Sequence, residues 1–440
     1  MYALGHELAH TPSHKFDLAH MRVLLAALQH PERKFRSVLI AGTNGKGSTA
    51  ATLASILQAS GLRTALYTSP HLVRINERIR INGEQISDDQ FALLHDVVDR
   101  TAERLVEDGE LPWHPSFFEM LTAISFEFFA NSKVDIAVLE VGMGGRLDAT
   151  NVVDQLLSVI TDISLDHQKF LGNTIVEIAR EKAGIIRPNG VLVTLPQTPE
   201  ANDVIGRVAL EANAKAISAV PFVPPVSPAS GKAWGPENLE GIRTSYPLLV
   251  LGTQIEIKSP LVGRHQLRNV ALAIAAAEQL SAHFAAITGA SIERGIRETR
   301  WPGRFQVVPA REDQPELVFD VAHNPAGAWA LRSTLSSVYE DRRLIFVFGA
   351  MRDKAIREIA EILFPVVERV IATRADNPRS ATPEEIAEAA ARTGAEIEFA
   401  QDIPSALSRA RAIAGENGIV VVTGSIYVVG EAMQALGVPA

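Results

Sequence analysis

The stretch that decides the fold is Val38-Leu39-Ile40-Ala41-Gly42-Thr43-Asn44-Gly45-Lys46-Gly47-Ser48. Its four leading apolar residues read as a buried strand, and Ala50, Ala51, Leu53, Ile56 and Leu57 beyond it recur at helical spacing. Between them, glycines let successive backbone N–H groups turn toward one point, where the helix N-terminus adds partial positive charge. Lys46 offers a point charge for terminal phosphates, and Ser48 a hydroxyl for Mg2+. Thr43, Asn44, Gly45, Lys46, Gly47 and Ser48 are therefore candidate phosphate-binding residues, and the nucleotide expected is ATP. The common loop has the form GxxxxGK[ST]; here the order is GxxGKGS, with Gly47 inserted between lysine and hydroxyl.

Composition sets the frame. A chain of 440 residues is expected to form two or three domains. Hydrophobic residues at 47% and charged residues at 21% are ordinary for a globular protein. With 42 basic and 51 acidic side chains, the formal charge of −9 argues against nucleic acid as the main partner. It leaves room for small anionic ligands held by a local cluster. The absence of cysteine excludes disulfides, thiolate metal sites and cysteine nucleophiles, and fits a cytoplasmic protein. Met1–His10 carries no secretory pattern, and no apolar run is long enough for a bilayer. The default oligomeric state is a monomer.

Up to about residue 195 strands and helices alternate, which predicts a mainly parallel sheet covered on both faces. The strands are Val38–Ala41, Ala65–Thr68, Asp135–Val141, Leu157–Thr161 and Val191–Leu195, with helices such as Gln90–Glu107 and Ser116–Phe129 between them. Prolines and small residues make Ala219–Pro236 an irregular connection, Tyr246–Ile257 reads as a hairpin about Gly252-Thr253, and Asn269–Ala286 as an Ala-rich helix. Glu298–Arg304 breaks the regularity and is the expected hinge. A second αβ series follows, with strands Leu317–Val321, Leu344–Phe348, Val370–Thr373, Ile397–Phe399 and Ile419–Thr423. The expected architecture is α/β: a P-loop-type ATPase domain over residues 1–298 and a smaller Rossmann-like domain over 299–440.

Polar clusters sit at the predicted strand ends, where ligands collect in such sheets. Tyr67–Leu72 includes Ser69 and His71, with Glu77 and Arg78 nearby; Glu140 ends the third strand; His167 follows the fourth. Taken alone, Glu140 reads equally as a metal ligand or a helix cap, and His167 as a structural histidine. Lys182 by itself is a solvated helix charge ending at a glycine cap. Arg304 is an exposed hinge arginine, and Asp320–Pro325 a strand end capping a helix.

Together these pieces resemble the folylpolyglutamate synthase/dihydrofolate synthase family, a branch of the Mur ligase superfamily. The motifs that carry the resemblance are AGTNGKGS, YTSPHL, ERIRINGE, FFEMLT, LEVGMGGRLDATN, LDHQKFLGNTIVEIAREKAGII, GRHQLRN, WPGR, DVAHNP and TGSIYVVG, in order from Val38 to about Val428. Val321 stands where the family often has glycine, Ala350–Lys354 varies on a GALxDK theme, and Met1–Arg36 matches less clearly.

The resemblance implies an ATP-dependent ligase that joins L-glutamate to dihydropteroate, to folate polyglutamates, or to both, through an acyl phosphate. It implies that Ser48 holds one Mg2+, and that Ser69, Glu140 and His167 hold a second. Lys182 matches a lysine that is carbamylated (N6-carboxylated) in many relatives. Asn269 is expected at the adenine, Arg304 at the phosphates, and Asp320 and His323 at the nucleotide and the incoming amino acid. Phe117, Phe118, Glu119, Arg146, Leu147 and Asp148 are expected at the pterin and benzoate. The competing expectations are another Mur-type amino-acid ligase, such as a peptidoglycan or cyanophycin ligase, and a P-loop nucleotide switch. Gly47 and the RLDATN run disfavour the first, and the Arg304 hinge with its second αβ domain the other.

Overall fold

A computed structural model describes residues 18–224, 244–311 and 314–440. Met1–His10 and most of the Pro-rich connection lie outside the described residues. Within the first lobe, eight strands form one sheet: β1 (Arg36–Ala41), β2 (Thr64–Tyr67), β3 (Ile79–Ile81), β4 (Glu84–Gln85), β5 (Ile136–Glu140), β6 (Leu157–Ile160), β7 (Val191–Thr194) and β8 (Lys215–Ser218). Their order is β4-β3-β2-β5-β1-β6-β7-β8. Pairings from β2 through β8 are parallel, while β3 runs antiparallel to both its neighbours.

From Val38 onward β1 is apolar because both faces are covered. Leu39 and Ala41 join one core with Ala137, Leu139 and Ile160, under the helices Asp88–Glu107, Phe117–Asn131 and Ile175–Ala183. Val38 and Ile40 join the other with Val138 and Val159, under Lys46–Ala59, Arg264–Leu280 and Gly289–Glu298. Among the described residues no helix is long and apolar enough to cross a membrane.

A hairpin of β9 (Thr244–Val250) and β10 (Thr253–Ser259) packs against the helix Gly289–Glu298. Its turn is Leu251-Gly252, both at positive φ, one residue before the expected pair. The Ala-rich helix starts at Arg264 and stops at Leu280, earlier than its expected span of Asn269–Ala286.

In the second lobe, β11 (Gln306–Val308), β12 (Glu316–Phe319), β13 (Leu344–Phe348), β14 (Arg369–Ala372), β15 (Ile397–Phe399) and β16 (Ile419–Thr423) take the order β11-β12-β16-β13-β14-β15. Only β11 is antiparallel. Here too alternate residues serve opposite cores, Phe346 and Phe348 on one side and Ile345 and Val347 on the other.

The order of the first sheet places the chemistry. β5, β1 and β6 are neighbours, so the loops after all three leave the same edge side by side. The glycine turn follows β1, Glu140 ends β5, and Thr161-Asp162 follow β6. The second sheet turns the ends of β12, β13 and β16 toward that edge. Asn324 Nδ2 donates to Asn44 Oδ1 at 2.9 Å, and Lys354 lies 3.6 Å from Asp166.

One close approach fixes how the phosphate-loop helix seats. A Cβ on Gly295 would come within 2.4 Å of Ile56 Cα, where Gly289–Glu298 crosses Lys46–Ala59. Gly295→Ala is expected to cost about 1–3 kcal/mol, read by urea unfolding; an unchanged midpoint would contradict that packing.

Candidate active site between the lobes

The glycine turn is pinned to the segment that follows β6. Thr43 N–H donates to Asp162 O at 2.7 Å, Thr43 Oγ1 to Ser164 O at 3.0 Å, and Thr161 Oγ1 to Asn44 O at 2.8 Å. Gly45 is the N-cap of Lys46–Ala59, at φ 85° and ψ −5°, with no side chain capping the helix. The first helical N–H groups therefore face outward as donors for an anion. A Cβ at Gly45 would come 2.2 Å from Asn269 Oδ1, and one at Gly47 2.7 Å from the Trp301 ring. Glycine at these two positions lets Asn269 and Trp301 lie directly on the loop.

Two ammonium groups fold back over it. Lys46 Nζ donates to the carbonyls of Gly42 and Thr43 at 3.0 and 3.2 Å, and Lys182 Nζ donates to Gly42 O at 2.7 Å. Lys182 is buried, and burial together with the neighbouring Lys46 charge lowers its pKa to about 7. The expectation of a solvated helix charge fails at this residue: helix Ile175–Ala183 points it inward.

Glu140 is buried and accepts from Ser69 N–H at 3.1 Å, just ahead of the cis Ser69-Pro70 bond. Burial raises its pKa, opposed by the charges of Lys46, Arg304 and Arg78, which face it. His167 sits at positive φ ahead of the short helix Gln168–Leu171. Burial lowers its pKa to about 4, against the pull of Asp166 and with the push of Lys354, Lys46 and Lys182. It is a neutral imidazole, the form that binds metals. Among the described residues no three His, Cys, Asp or Glu side chains gather as a metal cluster.

Ser69, His167, Arg304 and His323 line one cavity of about 280 Å³ between the lobes. Arg304, half-buried, lies 6.0 Å from the Trp301 ring and faces Asp320 and Glu140. Asp320 spends both oxygens on backbone, accepting from Phe305 N–H and Ala322 N–H at 2.9 Å each. Burial pushes its pKa up to about 6, opposed by Arg304. Its contacts thus position the strand connection that carries Arg304. His323 Nδ1 must donate to Val321 O at 2.9 Å, since a carbonyl only accepts, which leaves Nε2 without the proton in the neutral ring.

The residues expected at the aromatic substrate separate into two groups. Phe118, Glu119, Leu147 and Asp148 line the cavity. Phe118 packs against Gly142 and Tyr67. Glu119 is absorbed by a capping box, accepting from Ser116 N–H and Oγ at 2.7 and 2.6 Å. Asp148 clasps its own loop, accepting from Met143 N–H, Thr150 N–H and Thr150 Oγ1. Phe117 and Arg146 stand outside the cavity lining: Phe117 lies 5.6 Å from the Arg78 guanidinium, and Arg146 pairs with Glu181 at 2.9 Å. Asn269 binds Gln266 Oε1 at 2.8 Å and backs the glycine turn.

Other residues enter that no role had been expected for: Asp166, Lys354, Arg379, Ser425 and Tyr427. Lys354, Arg379, Ser425 and Tyr427 line the cavity from the second lobe. Asp166 is held below the usual carboxylate range although burial pushes it up, because His167, Lys354, His323 and Lys46 outweigh that push. The signals were in the sequence: Asp166 precedes His167, Lys354 ends the GALxDK-like run, and Ser425 and Tyr427 belong to TGSIYVVG.

A phosphate-binding loop, a carboxylate and a neutral imidazole at adjacent strand ends, and a second Rossmann-like lobe closing on them define a Mur-type ligase. Residues 118–277 match the Mur ligase middle domain, and residues 303–426 the Mur ligase glutamate ligase domain. The Bacillus subtilis dihydrofolate synthase/folylpolyglutamate synthase is 35% identical over 431 residues, covering 96% of this chain and 95% of that protein. Its Escherichia coli counterpart is 33% identical over 397 residues, covering 90% and 86%. The solved Mycobacterium tuberculosis folylpolyglutamate synthase complexed with ADP and AMPPCP superposes with a TM-score of 0.86 at 33% identity, over 96% of this chain and 95% of that one. For Escherichia coli FolC in complex with DHPP and ADP the TM-score is 0.79 at 30% identity, over 98% and 95%. The chain belongs to the folylpolyglutamate synthase/dihydrofolate synthase family, and it is an ATP-dependent ligase that forms C–N bonds.

Arg304 sits on the connection between the lobes, facing charges from both. Arg304→Ala is expected to lower turnover by about 100-fold or more while changing ADP affinity less than about fivefold. Steady-state kinetics and calorimetric ADP titration separate the two; equal losses would reduce Arg304 to a nucleotide-binding residue.

Proposed function

We propose that this chain joins the α-amino group of L-glutamate to the carboxylate of dihydropteroate, of tetrahydrofolate polyglutamates, or of both. A carboxylate is a poor acylating agent because oxide does not leave. Its attack on the ATP γ-phosphate expels ADP and gives an acyl phosphate. The glutamate amine then adds to the acyl carbon, and the tetrahedral intermediate expels phosphate to leave the amide, the amine proton passing to a base. The protein's part is charge compensation and alignment. The observation that carries this reading is the cavity that Ser69, His167, Arg304 and His323 line between the phosphate-loop lobe and the second lobe.

In this reading Gly45, Lys46, Gly47 and Ser48 hold the phosphates, and Arg304 reaches them from the connection. Asn269 serves the adenine side. His323, with an unprotonated Nε2, is suited to receive a proton near the incoming amine. The functional units are residues 1–298 and 299–440, and the active form is the closed one.

The donor set fits Mg2+. Glu140 supplies a buried carboxylate oxygen, Ser48 and Ser69 supply hydroxyls, and His167 a neutral nitrogen. Two ions are expected, the first at Ser48 and the second among Ser69, Glu140 and His167. When bound, Mg2+ would offset phosphate charge. Lys182 is expected to carry a carbamate: its amine, with a pKa lowered to about 7, is largely neutral just above neutrality, the form that adds CO2 and releases a proton. The anion so formed would sit where an ammonium now meets Gly42 O.

ADP release is the direct assay. It is expected to require both a pterin-bearing acid and L-glutamate for amide formation, with dihydropteroate and tetrahydrofolate as the two acids to compare; ADP release indifferent to both acids would remove the reading. Lys182→Ala is expected to lose activity about 100-fold or more and to regain part of it with added formate or acetate. No recovery with either acid, together with a bare ammonium in a high-resolution map, would contradict the carbamate.

A further inference from the structure

Gly430 leaves no room for a side chain: a Cβ there would overlap Leu72 O and come 2.8 Å from Leu72 C. Gly430 belongs to the helix Ile426–Ala435 of the second lobe, and Leu72 to the loop that follows β2 in the first. Backbone of one lobe therefore rests directly on backbone of the other. The Leu72 side chain continues the approach. It is half-buried and packs against the second-lobe core that holds Val321, Val428, Val429 and Met433. Leu72 Cδ2 and Val321 Cγ1 lie 3.2 and 3.1 Å from the point where Gly303 would carry a Cβ, so both side chains and the connection meet at one place. Gly303, at φ 69°, leaves that place open.

On its own side the loop is held as closely. Buried Glu77 accepts from Leu72 N–H at 2.8 Å and from Val73 and Arg74 N–H at 2.9 and 2.6 Å. Three residues before Leu72, Ser69 N–H donates to Glu140 Oε2 at 3.1 Å, and Ser69 and Pro70 line the interlobe cavity. Val321 lines it from the second lobe. Its N–H donates to Gly303 O at 3.0 Å, and its carbonyl accepts from His323 Nδ1 at 2.9 Å. Leu72 and Val321 thus join the loop that carries Ser69 to the segment that sets His323.

We propose that Leu72 is a positioning residue for the ligation: seated against Val321 and Gly430, it lets the second lobe fix Ser69 opposite His323. This rests on the ligase reading above, in which Ser69 serves the phosphate side and His323 the incoming amine. Leu72 is not part of the cavity lining, so it acts through its loop. The effect belongs to turnover, because a misplacement of about 1 Å between reacting groups can cost about 100-fold in rate. The phosphate loop meets the second lobe separately, through Asn324 and Asn44, which leaves ADP binding as a control.

The experiment compares the full chain with Leu72→Ala, Leu72→Met, Val321→Gly and Gly430→Ala. Three readouts are taken: ADP release with dihydropteroate and L-glutamate, calorimetric ADP titration, and amide hydrogen exchange across residues 69–74. Leu72→Ala is expected to lower kcat about 10- to 100-fold while ADP affinity changes less than about threefold. Gly430→Ala is expected to follow it, and Leu72→Met, which keeps the apolar volume, to stay within about threefold of wild type. Val321→Gly, made in the second lobe, is expected to speed exchange at the Leu72, Val73 and Arg74 amides of the first. A structural role confined to one lobe produces no such change, and this variant decides the matter where Gly430→Ala also lowers the melting midpoint. Wild-type turnover in Leu72→Ala, unchanged exchange in Val321→Gly, or parallel losses of kcat and ADP affinity each overturn the proposal. ADP release by the wild type that ignores the pterin-bearing acid would instead remove the ligase reading, while the exchange result still judges the link between the lobes.

Discussion

Two ammonium groups share one carbonyl: Lys46 Nζ and Lys182 Nζ both donate to Gly42 O, at 3.0 and 2.7 Å. Like charges so close, one of them buried, are tolerable only because the carbonyl, the nearby carboxylates and a lowered Lys182 pKa share the strain. The arrangement has a natural resolution in a polyanion laid across the outward N–H groups of Lys46–Ala59. The rest of the first lobe serves this point. β5, β1 and β6 lie side by side so that Glu140, the glycine turn and the Asp162 carbonyl emerge together, and Asn269 and Trp301 close against glycines that leave room for them.

The second lobe completes the charge pattern rather than adding an independent one. Lys354 meets Asp166, and Asn324 meets Asn44 on the phosphate loop itself. Asp320 is turned inward to backbone and Arg304, so it organises the connection between the lobes. Neutral His167 and His323 border the same space as these cations. A site with neutral imidazoles and clustered cations suits a reaction whose reactants bring the negative charge.

Much of this was legible in the sequence. Apolar runs such as Val38–Ala41 and Ile419–Thr423 mark strands buried on both faces, and polar clusters after them mark the edge where chemistry gathers. Strand order was not legible, because it depends on which crossover passes behind which, and the edge pair β3 and β4 is too short to leave a periodic signal. Roles of carboxylates were hardest to assign. Glu119 and Asp148 stand in motifs expected to meet substrate, yet each is consumed by N–H groups of its own loop. Residue type and spacing cannot separate a carboxylate that faces a ligand from one that clasps a turn. Burial of Lys182 and Arg78 likewise follows from helix and loop packing that no local pattern encodes.

The central claim is that this cleft brings a carboxylate and the terminal phosphate of ATP together so that oxygen passes from one to the other. Mass spectrometry of the phosphate released from a substrate labelled with ¹⁸O in its carboxylate tests it. The account predicts one labelled oxygen in each phosphate. Unlabelled phosphate alongside amide product, or label appearing in AMP, would contradict it.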